Sequence, residues 1–237
     1  PPRDSGKPPS FRGPKGISDP VAQFEPGEEI LALDILGGPI LNYDGMGGSN
    51  PNDTNGDIGP NHFVQMINSA FAIWDRQGNL LTGPSNINTL WTSADPTDTS
   101  ECATQNRGDP IVLYDRHADR WLLSQFAQTR FICVAISQTA DPTGTYYLYQ
   151  FGVDRFPDYF KFGIWPDGYY VPTSTGDDIV QKHACVVDRS RMLAGEPATE
   201  QCFVVDDVNF LNNVGAATSV EEARTAFRDV TTIGQCW

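Results

Sequence analysis

The sequence predicts an all-β fold, specifically a β-propeller of four-stranded antiparallel blades that is incomplete in this chain. Short apolar segments separated by turn signals run from residue 57 onward, which is the pattern of many short strands. An Asp also stands shortly before the leading apolar strand of three such sets: Asp57 in "GDIGPNHFVQM", Asp109 in "GDPIVLYD" and Asp167 in "PDGYYVPTS", at separations of 52 and 58 residues. Periods of about 40 to 50 residues with four strands each mark propeller blades, whereas a sandwich of the same strands has no need of an Asp at equivalent positions.

Residues 1–29 are rich in Pro and Gly and poor in apolar side chains, which reads as an extended arm. The propeller portion then spans 30–237 as about three blades and a C-terminal helical segment. It begins with "EEILALDILGGPIL", which Gly-Gly-Pro cuts short. "HFVQMIN" and "AFAIWDRQGNLL" follow, the second with Gly78 placed for a tight hairpin turn. "PIVLYD", "RWLLSQFA", "FICVAIS" and "TYYLYQFGV", joined by "RHAD" and "DPTG" turns, form a four-stranded antiparallel meander. A third set, "FKFGIWPDGYYVPTST", "HACVVDRSRML" and "QCFVVDD", repeats it with a helix-like insert, "RSRMLAG". Residues 219–230, "SVEEARTAFRDV", have helical spacing, with Ser219 and Glu222 as a capping box. Three sets of strands do not close a ring of at least four blades, so the remaining blades are expected on further sequence or on another chain.

Charge and cysteine usage narrow the function classes. With 30 acidic against 16 basic residues the net charge is −14, and a phosphate backbone would be repelled. Nucleic acid is therefore not an expected partner. No window approaches the roughly 18 apolar residues of a membrane span, and the N-terminus lacks a signal-peptide core, so a secreted form would have lost its signal. None of the five cysteines sits in a C-x-x-C pair. Disulfides Cys102–Cys133 and Cys185–Cys202 are the expected pairing, with Cys236 left for a partner on another chain or on sequence beyond this one. Low Lys content and Asn/Gly/Pro-rich loops add to an extracellular reading.

The stretches "PNDTNGDIGPNHFVQMINSAFAIWDRQGN", "GDPIVLYDRHADRWLLSQFA", "ICVAISQTADPTGTYYLYQF", "FPDYFKFGIWPDGYYVPTST" and "DRSRMLAGEPA" cover most of residues 51–198. They resemble a group of secreted, mostly bacterial β-propeller proteins of uncertain biochemical role. The resemblance implies secretion and a propeller, and fades after about residue 205.

Several side-chain sets invite a chemical reading. Asp53, Asn55 and Asp57 occupy alternate positions of "DTNGDIG", an arrangement that can turn several oxygens toward calcium, although an Asx-turn is written the same way. "NDT" at Asn52 is a glycosylation sequon. "YDRHADRW" holds Asp, Arg and His as a catalytic cluster would, and equally as a polar hairpin turn would. His62, His117 and His183 would have to converge from three blades to bind copper or zinc. Asp158 and Asp167, among Phe156, Tyr159, Phe160, Trp165, Tyr169 and Tyr170, could form an acid/base pair beside a sugar platform. Familiar hydrolase signatures are absent. The expectation is a secreted, calcium-stabilised propeller that binds a glycan or protein ligand or serves assembly. The alternative is a carbohydrate-active enzyme, a glycoside hydrolase or polysaccharide lyase, using Asp109, Asp158 or Asp167 with Arg120 or Tyr169.

Overall fold

A computed structural model of the chain describes residues 41–127, 130–153, 156–158, 160–173 and 182–205. The expected arm at 1–29, the helix at 219–230 and Cys236 lie outside these residues. The described part is all-β, with three four-stranded antiparallel sheets and three short helices. The first sheet holds β1 (Asn55–Ile58), β2 (His62–Ile67), β3 (Ala70–Asp75) and β4 (Leu80–Asn86). Helices α1 (Thr89–Ala94) and α2 (Glu101–Thr104) lead to the second sheet. That sheet holds β5 (Ile111–Asp115), β6 (Arg120–Ala127), β7 (Phe131–Ser137) and β8 (Tyr146–Gly152). The third holds β9 (Gly163–Trp165), β10 (Gly168–Thr173), β11 (Lys182–Val187) and β12 (Glu200–Val205), with α3 (Arg189–Ala194) between the last two strands. Each sheet is a meander in chain order.

Local sequence explains most turns. Gly78 takes a φ of 84° in the β3–β4 turn, where the Asp75 carboxylate accepts from Gln77 N and Asn79 N. The "RSRMLA" helix is capped at its start by Asp188, whose side chain accepts from Arg191 N, and is stopped by Gly195 in the left-handed region. Ser100 caps α2 in the same way through Ala103 N.

The second sheet is apolar on both faces. On β6, Trp121, Leu123 and Ala127 enter one core with Val64, Met66, Phe71 and Ile73 of the first sheet. Leu122 enters a second core with Tyr169, Val171, Cys185 and Val187 of the third sheet. Strand β7 divides likewise, Cys133 and Ala135 to the first core and Ile132, Val134 and Ile136 to the second. Period-2 alternation of a strand buried on both sides produces runs such as "WLL" and "ICVAI". Full burial of each large apolar side chain is worth about 1.5–3 kcal/mol, so these faces supply the main cohesion between sheets.

The first strands of the outer two sheets depart from the expected layout. Strand β1 is hidden in the polar "NGDI", and β9 has only three residues. Both are too short or too polar to read as strands from sequence, which makes the second strands β2 and β10 look like leading ones. As a result Asp57, Asp109 and Asp167 are not equivalent. Asp57 lies inside β1, Asp109 two residues before β5, and Asp167 in the turn between β9 and β10. The position two residues before each first strand belongs to Asp53, Asp109 and Lys161.

Two disulfides form: Cys102–Cys133 joins α2 to β7, and Cys185–Cys202 links directly paired positions of β11 and β12. Sequence separations of 31 and 17 residues set the loops they close in the unfolded chain. Replacing either pair with Ala is expected to lower unfolding free energy by about 3–4 kcal/mol, measured by denaturant titration. A loss under about 1 kcal/mol for Cys102–Cys133 would contradict the chain-entropy argument.

Candidate functional site

Strands β1 and β5 run side by side, which gives the sheets two distinct ends. At the head the first strands begin and the second strands finish; at the foot the first hairpins turn. The two ends are built differently.

The first and second sheets are joined by specific polar contacts along the length of β1. Asn55 Oδ1 accepts from Val112 N at 2.6 Å and Asp57 Oδ2 from Tyr114 N at 2.8 Å, while Asp57 Oδ1 accepts from its own neighbour Ile58 N. The side chains of β1 therefore satisfy backbone donors along the open edge of β5. Gly59 follows against the next sheet: a Cβ there would stand 2.7 Å from Trp121 Cζ2. Tyr114 also donates its hydroxyl to Asp119.

Asp115, at the end of β5, makes the second join. It is fully buried, accepts from Arg189 Nε at 2.7 Å and Arg189 Nη2 at 3.1 Å, and from the Tyr169 hydroxyl at 2.8 Å. His117 N and Ala118 N add two backbone donors from its own turn. Arg189 also donates to Pro166 O and lies 5.7 Å from the Tyr169 ring centroid. Burial acts to raise the Asp115 carboxyl, but the donors from Arg189 and Tyr169 outweigh it and hold the group below its ordinary value. Burial first, and the Asp115 charge second, push the Tyr169 hydroxyl up.

The head carries charge and backbone strain. Asp53 and Asp109, non-glycine residues, take φ values of 44° and 46°. Lys161 is electrostatically coupled to both carboxylates. Burial pushes its ammonium below the ordinary value, with Asp109 and then Asp53 acting against that shift. So the structure gathers the three equivalent positions, two acidic and one basic, around one end. Sequence reasoning singled out Asp53 and Asp109 but missed Lys161 and the Asp115–Arg189 pair. The usable signal for Lys161 was its offset from β9, legible only once β9 is recognised.

The other candidates fall as follows. Of Asp53, Asn55 and Asp57, the last two turn side-chain oxygens to backbone donors, and Asp53 has Lys161 for its positive neighbour. Among the described residues no group of three or more His, Cys, Asp or Glu side chains is placed to hold a metal. Asp167, exposed in the foot turn, accepts from Tyr170 OH at 3.1 Å, so it and Asp109 lie at opposite ends of the sheets. Asp158 lies in the segment leading to β9. Phe160 and Tyr169 are core residues, and Phe156 meets Phe126 edge-on at 5.0 Å. Tyr159 lies outside the described residues. Arg120 Nη1 donates to the carbonyls of Ala118 and Asp119. His62 faces Asp141 at 3.7 Å, His117 is exposed in its turn, and His183 is buried on β11. Asn52 Nδ2 donates to Thr54 Oγ1 within the sequon. Cys102, Cys133, Cys185 and Cys202 are all in disulfides.

No family model, curated protein or solved structure matches the chain.

Asp115→Leu leaves the Arg189 charge buried without its partner and should destabilise by about 3–5 kcal/mol in denaturant titration, and Asp115→Leu with Arg189→Met should recover most of that. The folded-state carboxyl lies below its unfolded value of about 3.9, so its contribution is complete above about pH 4 and is lost as pH falls through the folded value. In an acid titration the double variant should therefore lose less stability than wild type. Asn55→Ala and Asp57→Ala, each leaving a β5 N–H without its acceptor, should each cost about 1–3 kcal/mol. Equal stability of Asp57→Ala and wild type would show that β5 does not depend on that bond.

Proposed function

We propose that the chain is part of an extracellular β-propeller that works as a binding or assembly module, with the head of the sheets as its binding face. Consecutive four-stranded meanders, the middle one packed on both faces, favour the propeller reading over a two-layer sandwich. Two disulfides are compatible with an oxidising, extracellular setting. Among the described residues no helix is long and apolar enough to cross a membrane.

The observation that carries the functional reading is the gathering of Asp53, Asp109 and Lys161, each two residues before the first strand of its sheet, around one end. Ligands are read by charged and polar groups set on a rigid scaffold, and this end has both. A glycan or an acid-poor protein surface suits a rim of two carboxylates and one ammonium on a chain of net charge −14. The carbohydrate-active enzyme reading is less well supported, because Tyr169 and Arg120 are engaged at the foot, away from Asp109.

The test is a binding screen of the whole chain on immobilised glycans and extracellular proteins, with product analysis on every glycan. Retention of a ligand without cleavage is expected, with Lys161→Glu weakening it at least about tenfold, the loss of more than 1.4 kcal/mol that a charge reversal at the rim implies. Release of shortened sugars or unsaturated ends would instead establish the enzyme, and undiminished binding by Lys161→Glu would move the site off the head.

A further inference from the structure

The second strand of each sheet carries an aromatic side chain at its second residue: Phe63 on β2, Trp121 on β6 and Tyr169 on β10. Each stands directly opposite a large residue of the first strand, Ile58, Tyr114 and Ile164 in turn. Trp121 and Tyr169 are buried against the preceding sheet. Trp121 lies in the first core beside Gly59, and Tyr169 lies in the second and donates to Asp115. Phe63 holds the equivalent place on the first sheet, yet it is only half-buried.

Directly opposed residues of antiparallel strands share a face, so Ile58, Phe63, Trp74 and Leu80 form one apolar row across all four strands of the first sheet. The row points away from the second sheet, because the neighbouring pair Val64 and Ile73 enters the first core. Tyr43 lies over its middle, with ring centroids 6.4 Å from Phe63 and 6.0 Å from Trp74. Its ends are open: Ile58 and Leu80 are each 50 % exposed, and Leu81 beside them is 47 % exposed. The far side of the third sheet is the counterpart. The pair that faces the following sheet is Val64–Ile73 in the first sheet, Leu122–Ile136 in the second and Tyr170–Val186 in the third. The first two pairs are buried in the cores between sheets, whereas Tyr170 and Val186 are half-buried and belong to neither core.

We infer that a second copy of the chain docks on this face, its Tyr170–Val186 pair set against the row from Ile58 to Leu80 and enclosing Tyr43, with the same contact made reciprocally at the other end. The chain carries both halves of a junction that it already makes twice within itself, and this selects a second copy over an unrelated partner. Two copies of the three described sheets make six, inside the four-to-eight range of closed propellers, and a twofold axis closes the ring. The inference rests on the propeller reading above. Each copy has a net charge of −14, so charge opposes the association and burial of the apolar rows drives it.

The experiment is sedimentation equilibrium of the whole chain at loading concentrations up to about 100 μM, where a dimer of ordinary micromolar affinity is populated. Twice the chain mass is expected. Ile58→Lys and Leu80→Lys stand at half-exposed positions that folding tolerates, and each should weaken the dimer at least about tenfold. Val186→Lys should weaken it from the opposite face. A monomer at the highest concentration would overturn the inference, as would a dimer that Ile58→Lys and Leu80→Lys both leave intact, or a mass that climbs past two copies without limit. Negative-stain images of the dimer should show a ring with a central hole. A dimer without that ring would sink the propeller reading together with this inference, whereas a monomer that still holds a ligand through Lys161 would sink this inference alone.

Discussion

Faces of β-sheets meet through side chains with no hydrogen-bond ladder to fix their register, so the placement of the third sheet on the second rests on Asp115. Its carboxylate takes the fork of Arg189 on one side and the Tyr169 hydroxyl on the other, and its own turn supplies two more donors. A bidentate fork constrains direction as well as distance, which apolar packing does not. The net energy of such a buried pair is small because desolvation opposes attraction. Its effect is to exclude other registers, each of which would strand a charge among Ile, Val and Leu.

The join between the first and second sheets follows a different principle. There the donors are backbone groups of β5 and the acceptors are the neutral Asn55 and the half-exposed Asp57. These bonds extend a strand edge sideways, much as a further strand would, and they hold β1 in step with β5 residue by residue. The close approach at Gly59 then lets Trp121 fill the space a Cβ would occupy. Both joins start from a first strand, so each sheet is located chiefly by the one before it. Lys161 comes to Asp109 and Asp53 only because both joins hold at once, which makes the head a product of the foot.

This arrangement explains what the sequence could and could not convey. The middle meander was legible because strands buried on both faces write continuous apolar runs, and β3–β4 because Gly78 sits at its tight turn. Helix α3 was legible from "RSRMLAG", where Asp188 and Gly195 mark its limits. Strand β1 was not legible, because its residues satisfy the neighbouring sheet with polar side chains and so look like a loop or a metal motif. Without β1 and the three-residue β9 the sequence repeat falls on Asp57, Asp109 and Asp167, whereas the equivalent positions are Asp53, Asp109 and Lys161. The pairing of Asp115 with Arg189 spans 74 residues and leaves no local pattern at all.

The strain at the head has a physical consequence. Left-handed backbone at Asp53 and Asp109, each of order 1 kcal/mol or more, and amide oxygens buried without donors all oppose folding. Such features persist only where surrounding structure over-determines them. The two apolar cores, the Cys102–Cys133 bond beneath α2 and the polar joins at the foot supply that excess. The binding face proposed for the head would draw on that excess, and the proposal does not depend on the more conspicuous aromatic and acidic stretch around Asp167.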